Sequence, residues 1–176
     1  MITRAATDLT AELRDAIRDA EFTDEHNEED GTLNLFSNNW AEITPGVRDQ
    51  ESIRYYLRGN CALLAVEIHR AAGWPLIMLS SEASKNSPHH YNDTRMVHVM
   101  TRRPDGYLVD IGGAITDQQA LGDWQGTYPD VQVEEISEAD LLSLIGAGDG
   151  LSMYSRLERA VTRDFAARLI DGRLTR

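Results

Sequence analysis

Cysteine occurs once in the 176 residues, at position 61, and lysine once, at position 85. A single thiol excludes an intramolecular disulfide and a thiolate-rich zinc site within one chain, and it suits a reducing compartment. Arginine supplies nearly all the positive charge, with 17 Lys and Arg against 29 Asp and Glu, for a net charge of −12. Such a chain lacks the clustered cations that a phosphate-tracking surface needs, so no nucleic-acid partner is expected. The acidic surface serves solubility and favours basic partners. No apolar run approaches the roughly 18 residues that span a bilayer, so no membrane partner is expected either. The N-terminus, MITRAATDLTAELRDAIRDAEF, has scattered charges in place of an apolar signal core. The expected location is therefore cytoplasmic, or that of a delivered effector without a standard signal peptide. No Lys-Ser/Thr pair follows the glycines of Gly146–Gly150, so they form no phosphate loop, and Gly112-Gly113 lacks the dinucleotide pattern. A zinc deaminase needs paired cysteines, which are missing. No cofactor is expected.

What is present reads as one domain over residues 1–176, with 41% hydrophobic and 26% charged residues. Leu9, Leu13, Ala16, Ile17 and Ala20 recur at helical spacing and predict a helix over Thr7–Ala20, capped by Thr7 or Asp8. Thr23–Gly31 is acidic and reads as a solvated loop. Asn34–Val47 reads as irregular, with Phe36 and Trp40 packed on the core. Glu51 opens a short helix that Gly59-Asn60 interrupts. Cys61–Ala72 then carries a continuous apolar stripe, a central buried helix ended by Gly73 and Pro75. Leu76–Ser80 is a strand and Glu82–Thr94 a polar loop. Arg95–Arg103 and Tyr107–Ile111 are two strands joined by the turn Pro104-Asp105-Gly106 and closed by Gly112-Gly113. Val131–Ile136 is a further strand, Ser137–Ile145 a capped helix and Leu151–Ile170 a final amphipathic helix. Residues 51–136 form the expected core, with terminal helices packed on it.

Cys61, His98 and Asp110 form a constellation with a physical reason at each position. A thiol is a weak nucleophile until it ionises, and the amides of a helix N-terminus and a nearby imidazolium both favour the thiolate. A histidine within reach takes the thiol proton and later returns it to a leaving group. An acid behind the histidine sets its tautomer and orientation. If the turn is three residues long, Arg103 faces Tyr107, His98 faces Gly112, and Asp110 lies diagonal to His98 on one face. A two-residue turn would put Asp110 on the other face, so the triad requires an odd turn or a bulge.

The stretches GNCALLAVEIHRAAG and MVHVMTRRPDGYLVDIGG, in the order Cys–His–Asp, resemble the catalytic core of papain-like and transglutaminase-like cysteine enzymes. The resemblance spans Gly59–Gly113. It implies an α+β fold in which a Cys-bearing helix packs on an antiparallel sheet. It also implies thioester chemistry on an amide, ester or isopeptide, with Cys61 as nucleophile, His98 as base and acid, and Asp110 as orienting acid. A protein or peptide substrate follows, cleaved by a peptidase, amidase or deamidase, with transglutaminase-like acyl transfer as the alternative. Proteases of the family often carry a Gln shortly before the Cys and a Trp after it. Here Arg54, Tyr55 and Tyr56 fill the first neighbourhood and Ala62 the second. Gln50, Asn60 and the Cys61 amide are the remaining oxyanion donors.

Each residue also has a plainer reading: Cys61 as a core residue, His98 as a structural histidine, Asp110 as a turn cap. A non-catalytic binding or inhibitor protein on the same scaffold, using its acidic face, is the alternative of a different class. His89, His90, Asp93 and His98 invite a metal reading, but adjacent histidines point apart, and no metal is expected. His69 lies too far along its helix to serve Cys61.

Overall fold

Thr10 starts the described chain's first helix, α1 (Ala11–Ala20), its hydroxyl accepting the Leu13 amide at 3.2 Å. The computed structural model describes residues 9–20, 26–27, 32–35, 41–82, 95–147 and 150–174. Thr7, Asp8, Phe36, Trp40, His89, His90 and Asp93 lie outside them, as does most of the expected polar loop. The helix thus begins later than its apolar spacing suggests, because Thr10 supplies the cap. Leu13 and Ala16 are buried, and Leu9 and Ile17 pack beside them.

Three short strands follow: β1 (His26–Asn27), β2 (Thr32–Leu35) and β3 (Ala41–Ile43), an antiparallel sheet with Leu33 opposite Ile43 and Leu35 opposite Ala41. This corrects two expectations. The acidic stretch includes a strand, and within Asn34–Val47, expected to be irregular, Asn34-Leu35 pair with Ala41-Glu42 as strands. Leu33, Leu35, Ala41 and Ile43 are buried while Thr32, Asn34 and Glu42 are not, the period of two that marks a half-buried strand. Strands of three and four residues give that period too few repeats to stand out in the sequence.

Helix α2 (Gln50–Leu57) starts at a capping box. The Asp49 carboxylate accepts the Ser52 amide, and the Ser52 hydroxyl accepts the Asp49 amide, both at 2.9 Å. Helix α3 (Cys61–Ala72) ends at Gly73, which takes the left-handed conformation at φ 71° and donates to the His69 carbonyl. Its first eight residues are all buried, Glu67 being the one charged side chain among them, so the helix is central.

The second sheet is five-stranded and antiparallel: β4 (Leu76–Ser80), β5 (Met96–Arg102), β6 (Leu108–Asp110), β7 (Gly113–Ile115) and β8 (Gln132–Ile136), in the order β7-β6-β5-β4-β8. The return strand stops at Asp110 and turns through Ile111-Gly112 into β7, an extra hairpin where the sequence suggested a closing turn. Helix α4 (Asp117–Gln125) has its own capping box, Thr116 with Gln119, a Thr-x-x-Gln signature that is legible but brief. Helix α5 (Glu138–Leu144) is capped by Ser137. The last segment divides into a 3-10 turn (Leu151–Met153) and α6 (Arg156–Ile170), because Ser155 stays extended and caps α6 with Glu158.

The fold is mixed α+β. One face of the five-stranded sheet, through Leu76 and Val99, meets Cys61, Leu63 and Val66 of α3. Leu64 and Ile68 join Val109 to α1, α2, α6 and the small sheet. The opposite face, through Ile77, Leu79, Met100 and Leu108, is covered by α4 and Tyr128. Tyr55, Tyr56 and Phe165 are fully buried below α3, worth about 1.5–3 kcal/mol each in apolar burial. Arg163 on α6 reaches Glu67 of α3 at 3.1 Å and also pairs with Glu12 of α1, tying three helices together.

Candidate active site

Cys61 is the first residue of α3 and lies where the helix amides converge. The preceding Gly59, at φ 108°, makes the bend that separates α2 from α3. Asn60 is fully buried, and its side-chain amide donates to the Tyr55 carbonyl at 3.2 Å. That bond joins the end of α2 to the start of α3 and holds the position of Cys61. Gln50 begins α2 and is exposed, with the whole of that eight-residue helix between it and Asn60. It does not line the space around Cys61. Of the expected oxyanion donors, only the Cys61 backbone amide is thus at the thiol with no side-chain hydrogen bond to give up.

His98 and Asp110 are positioned by the hairpin. Arg103 donates to the Tyr107 carbonyl at 2.8 Å, and Gly106, at φ 90°, donates to the Arg103 carbonyl, so the turn is the three residues Pro104–Gly106. Arg102 faces Leu108 and Thr101 faces Val109. In that register Asp110 falls opposite Met100 and diagonal to His98, on the same face. With Asp110 ionised, His98 Nε2 donates to Asp110 Oδ2 at 3.0 Å. The other carboxylate oxygen, Oδ1, accepts the Gly112 amide at 2.6 Å. Gly112 was expected to sit opposite His98; it lies instead in the β6–β7 turn, because β6 leaves β5 after Asp110. The amides of Val99 and Ala62 point to the Cys61 sulfur.

The pair is coupled electrostatically. Burial works against ionisation of the Cys61 thiol, but the His98 imidazolium and the two amides outweigh it and hold its pKa below the ordinary value. Burial likewise opposes charge on His98. The Cys61 thiolate and the Asp110 carboxylate overcome that and push it up to about 10. His98 Nδ1, the nitrogen left for the thiol, is buried and makes no hydrogen bond of ordinary geometry. The thiol and ring are nevertheless close enough to interact electrostatically.

Trp124 of α4, unremarked in the sequence, stacks on the His98 ring with centroids 5.9 Å apart and planes at 29°, and Tyr128 packs behind it. Its signal was the Thr116–Gln119 capping box, which predicts a helix but not which of its residues meets the histidine. Cys61, His98 and Asp110 are 8%, 2% and 12% exposed, and the space they enclose with Tyr56, Ile68 and Ile111 is too small for water. The three side chains thus sit together, shielded from solvent. A larger groove of about 380 Å³ lies between β8 and α5, lined by Met78, Arg95, Glu134, Ile136, Asp140 and Leu144, and includes none of the three. His69 is engaged elsewhere, its Nδ1 2.8 Å from the Trp74 carbonyl. Among the described residues no group of three or more His, Cys, Asp or Glu is arranged to hold a metal. No helix among them is long and apolar enough to cross a membrane.

Compared with family models, curated proteins and solved structures, the chain matches none, so the likeness to papain-like and transglutaminase-like enzymes rests on its own residues and their geometry.

Proposed function

We propose that the protein is a cysteine hydrolase built on a papain-like core, acting on an amide bond of a protein or peptide through a thioester at Cys61. The observation that carries this is the ordered chain of contacts from a helix-start thiol to a buried His98 to Asp110, with the thiol pKa held down and the imidazole pKa held up. In the reaction His98 Nδ1 takes the thiol proton, and the thiolate attacks the carbonyl carbon to form the C–S bond. The Cys61 amide donates to the resulting oxyanion. Collapse breaks the C–N bond as His98 returns its proton to the leaving nitrogen. Water, deprotonated by His98, then cleaves the thioester, releasing the acid and restoring the thiol. If an amine replaces that water, the same intermediate gives transglutaminase-like transfer.

A second reading, a binding protein that does not turn over substrate, is favoured by one observation, the closure of the triad to water. Substitution of Cys61 by Ala separates the two. Removing one sulfur leaves the fold intact, and turnover of a peptide-amide panel falls to background while an electrophilic probe no longer labels the chain. Undiminished turnover in C61A would exclude the thioester route. Unlabelled wild-type protein that also turns over nothing would favour binding alone.

A further inference from the structure

We infer that Arg48 is a positioning residue for the triad, acting on Asp110 through the β6–β7 turn; the inference rests on the cysteine-enzyme reading above. Arg48 Nη2 donates to the Gly112 carbonyl at 3.0 Å, across 64 positions of sequence. The Gly112 amide in turn donates to Asp110 Oδ1 at 2.6 Å, and Asp110 Oδ2 receives His98 Nε2 at 3.0 Å. One residue with no side chain is thus clamped between a guanidinium and the orienting carboxylate. The amide on Oδ1 sets the rotation of the carboxylate, which leaves Oδ2 aimed at the imidazole. Gly112 sits at the tip of the β6–β7 connection. It lies in a two-residue turn between strands of three residues, and the next residue, Gly113, is in the left-handed region at φ 99°. Without Arg48 the turn gains freedom, the Asp110 carboxylate rotates, and the imidazolium that stabilises the thiolate loses part of its support.

Arg48 is itself held by its neighbour. Asp49 caps α2 through both its carboxylate and its amide, so the chain direction just after Arg48 is fixed. The clamp therefore reaches from the β3–α2 connection, beside the small N-terminal sheet, to the acid end of the triad. Arginine suits this task because its planar fork is pre-organised, whereas a lysine ammonium is a mobile point charge.

The test is the pH dependence of Cys61 alkylation by iodoacetamide, read beside the melting temperature, in wild type, R48M and R48K. In wild type the thiol titrates below an ordinary cysteine. In R48M the thiol pKa rises, and the whole alkylation-against-pH curve moves up by about one unit. R48K moves in the same direction by less. A purely structural role would lower the melting temperature and leave the thiol pKa in place, and that result overturns the inference. If R48M does not fold, an unchanged thiol pKa in R48K overturns it equally. An ordinary thiol pKa in the wild type is a different failure, that of the cysteine-enzyme reading, and it is visible before any variant is compared.

Discussion

At Cys61 and His98, burial and charge act in opposite directions, and charge wins. Desolvation alone would leave a neutral thiol beside a neutral imidazole. The mutual attraction of thiolate and imidazolium, helped by two amides at the sulfur and a carboxylate behind the ring, reverses the preference. The sign of the pH dependence follows for each group. The His98 pKa, raised from 6.5 to about 10, contributes stability that is full below 6.5 and lost as pH rises through about 10. The lowered Cys61 pKa contributes stability that is full above 9.0 and lost as pH falls through the lowered value. The ion pair, and with it a nucleophilic thiol, occupies the window between those limits. Asp110 supports the upper limit, so D110N narrows the window from both sides: His98 loses its proton at lower pH, and Cys61 loses the imidazolium that holds it ionised.

At the level of elements, the β5–β6 hairpin decides whether a triad exists. Its three-residue turn puts Asp110 on the His98 face, and a slip of one residue would move it to the other. Inserting one glycine between Asp105 and Gly106 is therefore expected to return the thiol to an ordinary pKa, whereas inserting two glycines restores the face and the low pKa. Equal effects of both insertions, measured by alkylation against pH, would contradict the role of register. This hairpin was legible because Pro104, Asp105 and Gly106 each dictate turn geometry, and because Cys61–Ala72 carries a long stripe closed by Gly73. The β6–β7 turn was not, since strands of three residues offer no period to read, and Gly112 reveals its part only through Arg48, 64 positions away. The stacking of Trp124 on His98 was hidden for the same reason: it depends on how α4 crosses the sheet.

Across the whole molecule, the helices that carry and support Cys61 are joined by charge as well as by packing. Glu67 is almost fully buried on α3, and Arg163 of α6, about two-fifths exposed, is its partner, while the same guanidinium pairs with Glu12 of α1. Loss of Arg163 leaves a buried carboxylate uncompensated. R163M is expected to cost about 2 kcal/mol, discounted for the exposure of the arginine. That corresponds to a fall of roughly 4–8 °C in melting temperature for a domain of this size. The double variant E67Q/R163M recovers part of the loss, because the charge needing a partner is gone. An unchanged melting temperature in R163M would show that packing of α1, α3 and α6 alone holds the assembly.

The pH dependence of iodoacetamide alkylation at Cys61, in wild type and D110N, tests the thiolate–imidazolium pair most directly. Wild-type reactivity is predicted to rise through a thiol pKa below that of a free cysteine and to hold over the window that His98 sets, and D110N is predicted to shift the rise to higher pH. A single titration near the ordinary thiol value, the same in both proteins, would contradict it and leave Cys61 a buried core residue.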